Sequence, residues 1–138
     1  AGFPGVPVKI LRPGLEVVSV DAVAKKIQFQ RHLSRMLGLV GFTAVHGRVE
    51  ECQQQDLFRD GFDRVTARAV AHLSQLAQWA GDYVRADGAL IAMKGPEGTV
   101  EWQQSCAVLE ESGWLLQTEN LTLPLSGAER SLLILTRK

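Results

Sequence analysis

Cysteine is nearly absent: Cys52 and Cys106 are the only two in 138 residues. They stand far apart with no second pair, so neither a disulfide framework nor a cysteine-built metal site is expected, and a reducing cytoplasm is the default setting. Long apolar runs are missing too. No stretch approaches the roughly 20 residues that span a bilayer, and no signal peptide is visible. The sequence reads as that of a soluble, intracellular protein with no membrane partner. A surplus of charge of either sign is also lacking, because fifteen basic residues cancel fifteen acidic ones. Net charge therefore decides nothing about a nucleic-acid partner; only its distribution can. His32, His46 and His72 share no metal-ligand spacing, which leaves a zinc reading with little behind it.

No repeat, linker or low-complexity stretch divides the chain, so residues 1–138 are expected to form a single domain. Strand-like and helix-like segments alternate, the pattern of a mostly parallel α/β sheet covered by helices. After the opening AGFPG, Val6–Leu11 reads as a short helix stopped by Pro13-Gly14. LEVVSVD (Leu15–Asp21) is a β-branched run ending in an acid, as a buried parallel strand would. Ala24–Leu37 follows as a helix with Phe29, Leu33, Met36 and Leu37 on one face. Phe42–His46, Phe62–Ala67 and Ala89–Gly95 are further strands; Leu73–Val84 and Thr99–Ser112 are helices, the latter with Trp102, Cys106 and Leu109 inward. Two last strands, Trp114–Leu121 and Ser131–Thr136, have no crossover helix between them and should pair antiparallel.

Four groups of residues carry the chemistry. Gly2 and Gly5 allow close backbone approach to a ligand, and Asp21, about 20 residues on at a strand tip, can accept both hydroxyls of a ribose. The Phe3-Pro4 pair inside the loop argues against a pyrophosphate nest and suits a nucleoside cofactor without phosphates. In a nucleoside-binding sheet HGRVEEC (His46–Cys52) is placed to meet an adenine, with Val49 covering the ring and Glu50 or a nearby backbone group reaching its edge; a solvated turn that starts a helix is the competing reading. TARAV (Thr66–Val70) lies just past a central strand, where reacting groups gather. An arginine there is costly unless it faces a ligand or a carboxylate, which makes Arg68 a candidate site residue. Lys25, Lys26, Arg31 and Arg35, with Lys9 and Arg12, form a basic group. Lys94 and Arg130 sit where strands end and begin, within reach of a phosphate.

Two further absences narrow the reaction. No Asn/Asp-Pro-Pro-aromatic box follows the fourth strand, and no Pro-Cys nucleophile suits pyrimidine chemistry. A purine ring nitrogen such as guanine N7 has an exposed lone pair and no proton to lose. It can attack a sulfonium methyl in line once held correctly, so positioning could supply most of the rate.

AGFPGVPVKILRP, VDAVAKKIQFQRHL, VHGRVEE, FDRVTARAVAHL, IAMKG and LPLSGAERSLLIL follow one another here in an order that resembles the bacterial glucose-inhibited division protein B family. These are the 16S ribosomal RNA guanine-N7 methyltransferases. The resemblance implies a class I methyltransferase fold, Rossmann-like with an antiparallel C-terminal hairpin, that binds S-adenosyl-L-methionine. It implies a guanine in the decoding-centre loop of small-subunit rRNA, naked or within the 30S subunit, as substrate. By motif, Gly2, Phe3, Asp21, Val49, Glu50 and Arg68 correspond to cofactor positions, with Gly5 beside them. Lys94 and Arg130, with Arg68, correspond to RNA contacts. The family places a strand and several helices ahead of the glycine loop, so the resemblance further implies a chain without its first central strand. A nicotinamide-dependent oxidoreductase and a non-catalytic ribosome-binding module remain the alternatives, the first resting on the glycine loop and Asp21 alone.

Overall fold

The structure, a computed structural model, describes residues 1–68 and 71–138. The chain divides into two compact units, Ala1–Gln54 and Gln55–Lys138.

The first unit comprises α1 (Gly5–Leu11), β1 (Val17–Asp21), α2 (Ala24–Met36) and β2 (Phe42–His46), followed by a 3₁₀ turn over Val49–Gln54. β1 and β2 pair in parallel from Val17 opposite Phe42 to Asp21 opposite His46. That register places both carboxyl ends side by side. Lys9 is buried rather than solvated: its ammonium donates to the carbonyls of Pro13 at 2.8 Å and of Leu15. It holds together the turn that leads from α1 into β1.

The face expected of α2 is not the one it buries. Ile27 and Gln30 are the buried positions, while Phe29 and Met36 are 51% and 71% exposed. Burial follows the helical period, but one of the two positions it selects is polar. The large apolar side chains of α2 therefore mark a different stripe from the buried one.

The second unit holds β3 (Phe62–Arg68), α3 (Leu73–Ala80), β4 (Val84–Lys94), α4 (Gly98–Glu111), β5 (Trp114–Thr122) and β6 (Glu129–Arg137). The strands form one sheet in the order β3-β4-β6-β5. β3 and β4 are parallel, and β6 runs antiparallel to both its neighbours, β4 and β5. The closing antiparallel pair is as expected. Leu90, Ala92, Leu133 and Leu135 from the middle of the sheet pack with Leu73, Leu76, Ala77 and Leu109 of the helices to form the core. α3 stops at Ala80, short of the expected Val84; Gly81–Tyr83 continue it as a single 3₁₀ turn, and a Cβ at Gly81 would approach the Trp114 ring to 2.9 Å. α4 turns Gly98, Glu101, Ser105 and Leu109 inward; Trp102 and Cys106 lie beside that stripe, half-buried, and only Leu109 of the three expected residues is on it.

Candidate functional site

Each unit gathers candidate residues at the carboxyl ends of its parallel strands, where α/β sheets place their ligands. In the first unit Asp21 ends β1, three-quarters shielded from solvent. Its Oδ1 accepts the Val23 amide at 2.9 Å, and Oδ2 lies 3.5 Å from the Lys26 ammonium. An ionised carboxylate offers about four lone-pair directions, so capacity remains for the two hydroxyls of a ribose. The loop after β2 is tied to the same spot: the Gly47 amide donates to the Asp21 carbonyl at 3.2 Å, and His46 Nε2 lies 3.1 Å from the Ala22 carbonyl. Val49 and Glu50 open the 3₁₀ turn two residues further on, Val49 half-buried and Glu50 exposed.

That turn also shields Cys52. Its Sγ donates to the Arg48 carbonyl at 3.2 Å. Burial first, then the carboxylates of Glu51 and Glu50, push the thiol pKa up.

Gly2 is in the left-handed region, φ +77°, and its carbonyl accepts the Val6 amide at 2.7 Å. A Cβ at this position would lie 2.9 Å from Val6 Cγ2 and 3.3 Å from Gln30 Cγ, so glycine is required twice over. Gly5 starts α1 with Val17 and Phe42 as neighbours, and Phe3 is exposed. Beside this loop Gln30, almost fully buried, keeps its Oε1 without a hydrogen-bond partner. An orphaned acceptor next to a glycine turn and a carboxylate with spare acceptor capacity in the same unit are a set of acceptors that fits the hydroxyl and amino donors of a nucleoside cofactor.

In the second unit Arg68 is the last residue of β3, opposite Met93 of β4. It is exposed, so the desolvation cost expected for it does not arise. The two residues that end the TARAV stretch, 69 and 70, lie outside the described residues. Lys94 ends β4, but its ammonium is turned inward. It lies 2.9 Å from Glu101 Oε1 and donates to the Ala71 carbonyl at 2.5 Å. Arg130, exposed near the start of β6, lines an open groove of about 270 Å³ with Pro96, Thr99, Asn120, Thr122 and Ser131. Glu101 is the residue that sequence reasoning passed over. A lone acid in a helix reads as solvated, and nothing in the local pattern signals that Lys94, seven residues earlier, folds back onto it.

Among the described residues no group of three or more His, Cys, Asp or Glu side chains converges on a common point. Nor is any described helix long and apolar enough to cross a membrane.

The parallel β1–β2 pair of the first unit and, in the second, a sheet whose antiparallel β6 lies inside an outer β5 are mixed α/β architecture consistent with a class I S-adenosylmethionine-dependent methyltransferase fold. The same fold recurs in the precorrin-6y C5,15-methyltransferase of Geobacter metallireducens, with a TM-score of 0.70 over 96% of this chain and 73% of that one at 10% identity. Aeropyrum pernix fibrillarin, solved with natively bound S-adenosyl-L-methionine, gives 0.65 over 88% and 55%, also at 10% identity. Within that class, the chain belongs to the GidB family, rRNA small subunit methyltransferase G, which it matches over residues 1–132. Ribosomal RNA small subunit methyltransferase G of Syntrophotalea carbinolica is 45% identical over 139 residues, all of this chain and 64% of that protein. Its namesake in Lactobacillus acidophilus is 44% identical over 138 residues, 99% of this chain and 58% of that one. The chain thus spans about three-fifths of the length of these relatives.

Proposed function

We propose that this chain carries the catalytic unit of a 16S rRNA (guanine-N7)-methyltransferase, which takes a methyl group from S-adenosyl-L-methionine to N7 of a guanine in the decoding-centre loop. Family membership over residues 1–132 supports the substrate class, and the observation that carries the site is Asp21, ready to accept ribose hydroxyls, with the post-β2 loop hydrogen-bonded to it. When bound, the cofactor would supply an electrophilic methyl on a sulfonium centre.

The residues of the chain have defined tasks in this reading. Asp21 grips the ribose, while Val49 and Glu50 face the adenine; Gly2, Phe3 and Gly5 wall the amino-acid side. Arg68 contacts RNA, and so does Arg130 from the rim of its groove. Lys94, its charge shared with Glu101, has less to give to a phosphate than its place in the sequence suggests. No side chain has to remove a proton, because N7 has none. The work is therefore orientation, and effective molarities show that orientation alone lowers barriers by up to about 7–11 kcal/mol. A cytoplasmic location with the 30S subunit or its rRNA as partner follows from that substrate.

Calorimetry of the complete chain with S-adenosylhomocysteine and, separately, with NAD tests the cofactor. Micromolar binding of the first and none of the second is expected. NAD binding without S-adenosylhomocysteine binding would restore the oxidoreductase alternative.

A further inference from the structure

Lys94 and Glu101 are both 89% shielded from solvent, and neither bonds only to the other. Glu101, in the first turn of α4, accepts the backbone amide of Leu73, the first residue of α3, through the same Oε1 that meets Lys94. Lys94 reaches the carbonyl of Ala71. The pair thus grips the chain on both sides of His72, a few residues beyond the end of β3.

The first amides of a helix have no partner within it. His72, at the N-cap of α3, makes no capping bond through its side chain. Glu101 supplies the cap from another helix, and its negative charge complements the positive end of the α3 dipole. This arrangement needs α4 to begin almost on top of the end of β4. Gly98 makes that possible: a Cβ there would stand 2.8 Å from the Lys94 Cβ and 3.0 Å from the Ser131 Cβ. The ion pair is thus built in by the backbone path and is not an accident of two long side chains meeting at a surface.

We propose that Lys94 and Glu101 are positioning residues for the methyl transfer: by tying the end of β4 to the start of α3 and the first turn of α4 they fix the carboxyl end of β4, whose Met93 stands opposite Arg68, and with it the place from which Arg68 works. This rests on the function proposed above and assigns Lys94 a different task from RNA contact. Neither residue need touch cofactor or substrate. The clamp acts on geometry, where a shift of about 1 Å can cost on the order of 100-fold in rate.

Lys94→Met, Glu101→Gln and the double variant, made in the complete chain, separate the two roles. A clamp predicts that each single variant lowers kcat about 10- to 100-fold, leaves the RNA dissociation constant within about twofold, and keeps the same slope of log K against log salt. The double variant should be no worse than either single one, since it strands no buried charge. Should Lys94→Met fail to fold, Glu101→Gln and the double variant still decide the matter. The result that overturns the proposal is a Lys94→Met variant with weaker RNA binding and a salt slope smaller by about one, beside a silent Glu101→Gln. Amide exchange at Leu73 is read alongside, because it reports the clamp whether or not the wild-type chain methylates RNA. About tenfold faster exchange in Glu101→Gln supports the clamp, since a neutral amide is the weaker acceptor; unchanged exchange contradicts it. A wild-type chain that shows the clamp but transfers no methyl would count against the proposed function alone.

Discussion

Asp21 serves two neighbours before any ligand arrives: its oxygens meet the Val23 amide and the Lys26 ammonium. Asp21→Asn keeps an acceptor for Val23 and removes the charge that a ribose hydroxyl would meet. Affinity for S-adenosylhomocysteine should fall about 10- to 100-fold, the size of roughly 1.5–3 kcal/mol for hydrogen bonds to a charged group, and titration calorimetry reads it directly. An unchanged affinity would remove Asp21 from the site. A second residue-level consequence concerns Asp63, which Arg85 meets at 2.9 Å. The hydrogen bond from Arg85 and then its charge hold the Asp63 carboxyl below the ordinary carboxylate range. With the folded pKa lowered, the pair's contribution is present above the ordinary range and is lost as pH falls through the lowered value. A carboxyl-detected titration should give a midpoint below that of a free aspartate, and Arg85→Gln should raise it. The place of Asp21 at the end of a strand was legible because a β-branched run ending in an acid is a local pattern. Glu101 was not, because its partners, Lys94 and Leu73, come to it through tertiary contacts.

At the scale of the element, the strands were easier to read than the faces of the helices. Phe42–His46 is a strand with the expected bounds, and the β-branched, short apolar runs elsewhere also became strands. α2 and α4 were placed correctly along the chain but rotated wrongly, for one reason: each buries polar residues, Gln30 in α2 and Glu101 and Ser105 in α4. An apolar count cannot find a stripe that is partly polar. The rotation of α2 has a measurable outcome. Ile27→Ala should cost about 2–5 kcal/mol in urea unfolding, as a large core residue does. Phe29→Gln, on the exposed side, should change stability by no more than about 0.5 kcal/mol. Equal losses would mean that α2 turns the expected face inward after all.

For the whole molecule, the neutral charge total conceals a division. The unit Ala1–Gln54 has seven basic and four acidic residues, whereas Gln55–Lys138 has eight and eleven. α2 itself contains Lys25, Lys26, Arg31 and Arg35 and no acid. Arg31 is engaged at the Ala44 carbonyl, at 2.9 Å and 3.1 Å, and Lys26 lies near Asp21; Lys25 and Arg35 are exposed. Replacing Lys25 and Arg35 together with Gln should weaken RNA binding evenly across sequences and lower the salt slope by about two, as measured by filter binding over a salt series. An unchanged slope would place the phosphate contacts elsewhere. The sequence carried the class of fold and the order of its blocks because these rest on local periodicity and on motifs. It did not carry the division of charge between the units, which only the folded boundary at Gln54 defines.

The central claim is methyl transfer to a guanine ring nitrogen in small-subunit rRNA. Its most direct test incubates the complete chain with S-adenosylmethionine carrying an isotopically labelled methyl and 30S subunits that lack the modification, then identifies the nucleosides by mass spectrometry. The account predicts labelled 7-methylguanosine from a single 16S position, much reduced with Asp21→Asn. Label in any other nucleoside, or none in rRNA, would contradict it.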